Sequence, residues 1–230
     1  MLDLHFYPAA EGVYDNAKRD QPSGELRLRS VRALWDPTYV DESWIGQPIG
    51  LIPRMKRWVR ERYPGRKLML GEWSFGADDH ISGGLAVAEA LGRFGQQGLD
   101  YGFFWGPLKE ETPIYWAFRA FRNFDGAGGR FQDVSLTTRN DGKISLFASR
   151  DPANSRLVLV LVNGESVSKV DVTITLSNCG RVTSTRMFSY AEQSKALAPH
   201  EAKATADGDG VTARMDPFSF AALELGIEPD

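Results

Sequence analysis

The hydrophobic period of this chain changes once, after Gly129, and the change divides two kinds of structure. Before it, strand and helix patterns alternate. Leu2, Leu4 and Phe6 alternate with Asp3, His5 and Tyr7, a strand that Pro8 ends. Leu51, Ile52, Met55, Trp58, Val59, Arg62 and Tyr63 recur at helical spacing until Pro64-Gly65. A strand from Lys67 to Gly71 leads into Glu72. A helix follows from about Ser82, a plausible N-cap, through Leu85, Ala88, Leu91 and Phe94 to Gly95 or Gly98. The strand LDYGFFW, Leu99 to Trp105, and the helix IYWAFRAFRNF complete the series at Asp125-Gly126. After Gly129, KISLFAS, RLVLVLVN, KVDVTITLS, RVTSTRMFS and FSFAALELG read as short strands. Asn163-Gly164 reads as a hairpin turn and Asp207-Gly208-Asp209-Gly210 as a turn-rich connection.

Alternation of this kind calls for parallel βαβ units, in either a (β/α)8 barrel or an open doubly wound sheet. The open sheet's nucleotide fingerprints are missing: no G-x-G-x-x-G follows a strand and no G-x-x-x-x-G-K-[ST] occurs. Three βα units cannot close a barrel and would leave sheet edges bare. The expected fold is therefore α/β plus β: the carboxyl-terminal part of a (β/α)8 TIM-like barrel, about three βα units over residues 1–131, then an all-β sandwich domain over 132–230. The earlier strands are expected to precede Met1, where no leader-like segment is visible.

A net charge of -3 supplies no basic field for nucleic acid, and no apolar run reaches membrane-spanning length. Cys179 is the lone cysteine and His5, His80 and His200 show no ligand spacing, so no cysteine- or histidine-based metal site is supported and no cofactor is required.

All three barrel strands end on reactive or aromatic groups: His5 and Tyr7, Glu72 and Trp73, and Trp105. In a barrel these ends share the face that carries active sites. A carboxylate ringed by aromatics suits a glycosidic bond, because it can stabilise or trap an oxocarbenium-like centre while ring faces hold sugars. The bland alternatives are a structural ion pair for Glu72 and hydrogen bonding for His5. Residues 9 to 47 show little period but carry Trp35, Tyr39 and Trp44. Trp35, Trp44 and Trp105 lie on loops or strand ends and are better ligand candidates than Trp58 and Trp116, which lie on apolar helix faces and are expected in the core. Asp36, Asp41, Glu42, Asp78 and Asp79 read as loop or cap carboxylates.

The runs RALWDPTYVDESWIG, IGLIPRMKRWV, KLMLGEWSFG, ISGGLAVAEALGRFGQQGLD and FRNFDGAGGRFQD resemble glycoside hydrolase family 44. The resemblance spans residues 2 to about 165. It implies a barrel with an attached β-sandwich, and a retaining endo-β-1,4-glucanase whose relatives also act on xyloglucan, mixed-linkage glucan or xylan. It implies Glu72 as the nucleophile, within LGEWSFG where the family has a motif close to T-E-Y-N, with Gly71, Trp73 and Ser74 as departures. It implies substrate contacts at His5, Tyr7, Trp35, Tyr39, Trp44, Trp73 and Trp105. The family's acid/base glutamate ends the fourth strand and has no counterpart here, so the chain alone is expected to be inactive. The implied partners are a β-glucan substrate and the missing amino-terminal barrel half, with an extracellular location. Some members hold structural calcium, for which this chain offers no diagnostic ligand cluster. Two other readings remain: a carbohydrate-binding module using the cleft tryptophans, and a structural β domain with vestigial barrel elements.

Overall fold

The computed structural model describes residues 1–140 and 144–229. The chain forms two compact units, Met1–Ile114 and Tyr115–Asp230.

The first unit is built on a parallel three-stranded sheet in the order β1 (Leu2–Phe6), β2 (Leu68–Trp73), β3 (Tyr101–Phe104). Helices α1 (Gln21–Ser30), α2 (Leu51–Arg62) and α3 (Ile81–Gln97) lie between strands, and α4 (Pro113–Phe121) crosses into the second unit. The apolar stripe of α2 buries Ile52, Met55 and Val59. Trp58, expected in the core, is 48% exposed, because it stands outside that stripe. Trp116 is buried as expected. Helix α3 is buried on most sides through its Gly83-Gly84 start; a Cβ on Gly83 would stand 2.2 Å from the Ala77 carbonyl oxygen. Its N-cap is His80 rather than Ser82: Nδ1 of His80 accepts the Ser82 N–H at 3.3 Å.

Helix α1 and the 3-10 turn Val31–Leu34 occupy the stretch that showed no period. The buried face of α1 is Gly24, Arg27 and Ser30, and its end is marked by Asp20, which caps Ser23 N–H at 3.1 Å.

The second unit is antiparallel. One sheet has the order β4 (Val134–Leu136), β5 (Ile144–Arg150), β6 (Arg156–Asn163), β12 (Ser219–Glu228), β8 (Arg181–Ala191), β9 (Ala198–His200). The other has the order β10 (Ala202–Ala204), β11 (Gly210–Met215), β7 (Val170–Thr175). The two share one core, with Leu157, Leu159, Leu161, Leu223 and Leu225 from the larger sheet and Ile174, Val211 and Met215 from the smaller. Each fully buried leucine contributes roughly 1.5–3 kcal/mol. A cavity of about 1210 Å³ opens among Leu146, Leu157, Leu159, Leu161, Val172 and Ile174.

Asn163-Gly164 does not close a hairpin, because β6 pairs with β5 and β12 while β7 belongs to the other sheet. Asn163 instead fastens the crossing, donating from Nδ2 to Asp216 O at 2.7 Å and accepting from Glu165 N–H at 3.0 Å. The Asp207–Gly210 turn does join a hairpin, β10 to β11. Lys143, which opens the KISLFAS strand, lies outside the described residues. No helix among the described residues is long and apolar enough to cross a membrane.

Candidate active site

The direction of Glu72 is set by an irregularity one residue earlier. Leu2, Leu4 and Phe6 of β1 pair with Leu68, Leu70 and Trp73 of β2, while Asp3 and His5 pair with Met69 and Glu72. Gly71 is the extra residue, a bulge between Leu4 and His5. Strict alternation would place Glu72 on the Leu70 side, under the helices. The bulge turns it to the face of Asp3 and His5, and turns Trp73 inward beside Phe6. Gly71 suits the place because its N–H donates to Asp3 Oδ1 at 2.8 Å and a Cβ there would stand 2.4 Å from that oxygen.

Trp73 is accordingly core and no sugar platform. It is fully buried, edge-on to Phe94 at 5.0 Å and Phe104 at 5.2 Å.

The Glu72 side chain is 28% exposed. Tyr7 O–H donates to its Oε2 at 2.8 Å, and His5 Nδ1 stands 3.3 Å from the same oxygen. Among the described residues Oε1 has no hydrogen-bond partner. Burial, then the hydrogen bond to Glu72 and its charge, push the Tyr7 hydroxyl up to about 12, so it remains a donor at neutral pH. The Tyr14 ring tilts against Tyr7 at 4.8 Å. Burial, followed by the charges of Asp78, Asp15 and Glu72, raises its hydroxyl too. Asp78 is half-buried and raised first by burial, then by Asp79. Asp3, Tyr14 and Asp78 therefore join the three expected groups; the alternation of β1 put Asp3 on the His5 face, Asp78 read only as a loop or cap carboxylate, and nothing in the sequence marked Tyr14.

The expected aromatic contacts separate. Trp105 is 57% exposed, and its N–H bonds Trp73 O at 2.9 Å, which fixes it one strand away from Glu72. Trp44 is 87% exposed. Trp35 and Tyr39 are not brought to Glu72. Trp35 is covered by the Arg93 guanidinium, 3.9 Å above its ring centroid, toward the far end of α3. Tyr39 is buried and donates to Glu42 Oε1 at 2.9 Å. Both rings are used internally, through an arginine and a carboxylate.

Below the strand ends, Arg27 holds the loops together. Its fully buried guanidinium donates to Gly12 O, Val13 O, Lys18 O, Phe75 O and Ser82 Oγ, the last at 2.6 Å. It thereby ties the segment after β1 to the segment after β2 and to the first turn of α3. Among the described residues no group of three or more His, Cys, Asp or Glu is arranged to hold a metal ion.

A carboxylate with one oxygen doubly held and the other open on a sheet face is suited to nucleophilic or electrostatic work. No protein-family model matches the chain. It is 30% identical over 236 residues to Endoglucanase A of Paenibacillus lautus, covering 98% of this chain and 34% of that protein. A bifunctional glucanase-xylanase from a metagenome library superposes with a TM-score of 0.91 at 29% identity, over 98% of this chain and 43% of that one. A Paenibacillus polymyxa xyloglucanase of glycoside hydrolase family 44, solved with xyloglucan, gives 0.90 at 28%, over 98% and 46%. The class of protein these likenesses define is the glycoside hydrolases. The solved relatives include members of glycoside hydrolase family 44, and the resemblance to that family runs through nearly the whole chain. The chain spans about a third of the curated relative and less than half of the solved ones.

Proposed function

We propose that this chain is the carboxyl-terminal part of a retaining endo-β-1,4-glucanase acting outside the cell on β-glucan or xyloglucan, with Glu72 as its nucleophile. Residues 1–131 supply the last βα units of a (β/α)8 barrel and residues 132–230 a β-sandwich. The acid/base glutamate comes from polypeptide outside these residues and protonates the leaving oxygen. Glu72 Oε1 attacks the anomeric carbon, forming a glycosyl-enzyme, and water then attacks that carbon and releases the sugar. Tyr7 and His5 hold Oε2, so Oε1 keeps one direction through both steps, and Trp105 offers an exposed ring to the substrate. One observation carries the reading: both contacts to Glu72 converge on a single oxygen and leave the other open.

The test joins the chain to the amino-terminal half of a family 44 barrel and follows release of reducing ends from soluble β-glucan. Glu72→Gln is expected to lower the rate at least about 10³-fold, and the chain alone to release nothing. Equal rates for both proteins would remove Glu72 from the chemistry. The exposure of Trp44 and Trp105 favours, as a second reading, a glucan-binding module. Glucan-induced quenching of tryptophan fluorescence without hydrolysis in the joined protein would select it.

A further inference from the structure

The overall charge of -3 conceals a local excess of the opposite sign. Between residues 54 and 67 stand Arg54, Lys56, Arg57, Arg60, Arg62, Arg66 and Lys67 against one acid, Glu61. Two of the cations serve the fold: Arg54 donates to Pro48 O at 2.7 Å, and Lys56 donates to Gln97 O at 2.7 Å beside the end of α3. Lys67 reaches the Tyr101 hydroxyl at 3.2 Å. Arg57, Arg60, Arg62 and Arg66 are exposed, and their side chains have no hydrogen-bond or ion-pair partner among the described residues.

That is exceptional within the first unit. Arg19, Arg29, Arg32 and Arg93 pair with Asp79, Glu42, Asp36 and Glu89, and Arg27 is the buried hub. Among the described residues of that unit, the cation side chains left without partners are Lys109 and this run on α2 and its exit. Glu61 lies one turn from Arg57, yet no ion pair forms between them. Like charges at Arg57 and Arg60, three residues apart, cost helix stability rather than adding to it. Among them Trp58 is 48% exposed and Tyr63 61% exposed. Ile52, Met55 and Val59 turn one side of α2 inward, and Arg57 and Arg60 stand outside that stripe.

We propose that the exposed part of α2 and its exit, which carry Arg57, Arg60, Arg62 and Arg66 together with the half-exposed Trp58, bind an acidic polysaccharide whose sugars carry uronate groups. Guanidinium forks take carboxylates in bidentate fashion, and a half-exposed indole offers its face to a pyranose ring. The site lies apart from Glu72 and would hold an anionic polymer against the outside of the unit. Charge selects an anion; the choice of a polysaccharide over a nucleic acid rests on the glucanase reading.

The experiment titrates the 230-residue chain with de-esterified polygalacturonate, following tryptophan fluorescence and binding heat. The wild type is expected to bind at about 50 mM NaCl and to weaken steeply toward about 500 mM. Arg57→Gln, Arg60→Gln and Arg62→Gln together are expected to lower the affinity at least tenfold, on the order of what three charge-assisted contacts supply, and to flatten the salt dependence. The same three positions as Lys keep the charge and are expected to retain most of the binding, with circular dichroism confirming that each variant folds. Trp58→Ala removes the fluorescence change. Wild-type affinity in the Gln variant, or no binding by the wild type at low salt, overturns the site. Tighter binding of single-stranded oligothymidylate than of polygalacturonate at equal salt overturns the choice of polymer. Glu72→Gln leaves polygalacturonate binding unchanged, so failure of this site and failure of the Glu72 reading are separable.

Discussion

Glu72 owes its position to a glycine, and two residue-level consequences follow. In Gly71→Ala the new Cβ meets the Asp3 carboxylate, which already accepts the Gly71 N–H. The hydrogen bond and the bulge cannot both persist unchanged. The expected cost is about 1–3 kcal/mol in urea unfolding. Asp3→Ala in the same chain should recover part of it, and strict additivity of the two changes would show that the clash is not the cause. The second consequence concerns Tyr7, whose hydroxyl is raised from 10.0 to about 12 by burial and then by Glu72. Its folded value exceeds its unfolded one, so the stability linked to it is complete below about pH 10 and is lost as pH rises toward about 12. Tyr7→Phe should therefore lose less stability than the wild type across that window. In Glu72→Gln the tyrosinate absorbance should develop at lower pH; an unmoved titration would mean that Glu72 does not act on Tyr7. Neither effect was legible in the sequence. Glu72 was visible as a charge ending an apolar run, but alternation alone puts Trp73 on the open face, and only the pairing with β1 reveals that it lies inside.

At the scale of elements, legibility followed apolar content. Helices α2 and α3 announced themselves through Ile52, Met55 and Val59 and through Leu85, Ala88 and Phe94, and the strands through their aliphatic runs. Helix α1 did not, because the stripe it buries is Gly24, Arg27 and Ser30. A period search weighted by hydrophobicity passes over a helix whose inward residue is a cation. That cation organises the site's support. Burial, followed by the neighbouring Arg19, lowers its guanidinium to about 10, and it is held by main-chain carbonyls and one hydroxyl. Arg27→Met keeps much of the volume but leaves those acceptors unsatisfied. It is expected to cost about 3 kcal/mol or more, and Arg27→Lys nearly as much, since one ammonium cannot reproduce the fork. Amide exchange should then rise in residues 12 to 18 and 75 to 82 before it rises in β6 or β12. Uniform loss of protection would mean that Arg27 stabilises the fold without holding those loops in particular.

The whole molecule presents an unequal sheet. One face of β1-β2-β3 packs under helices, and the other shows Asp3, His5 and Glu72 together with Tyr101, Phe103 and, just past β3, Trp105. The three aromatics are 40%, 55% and 57% exposed. Strands β1 and β3 are its outer members, so their outer hydrogen-bonding edges face no further strand of this sheet. Bare edges beside exposed aromatics favour association with any chain that can add a strand. In the proposed barrel this face is the interior, and both edges are paired. The chain by itself should therefore bind the dye ANS and sediment as concentration-dependent oligomers. Tyr101→Lys and Phe103→Lys together should reduce both effects, because they charge the open face without touching the helix-covered side. Joining the chain to an amino-terminal barrel half should suppress both effects without any substitution. A concentration-independent monomer with a single cooperative melt and no dye binding would show that three βα units satisfy their own surface, and the barrel reading would lose its physical ground.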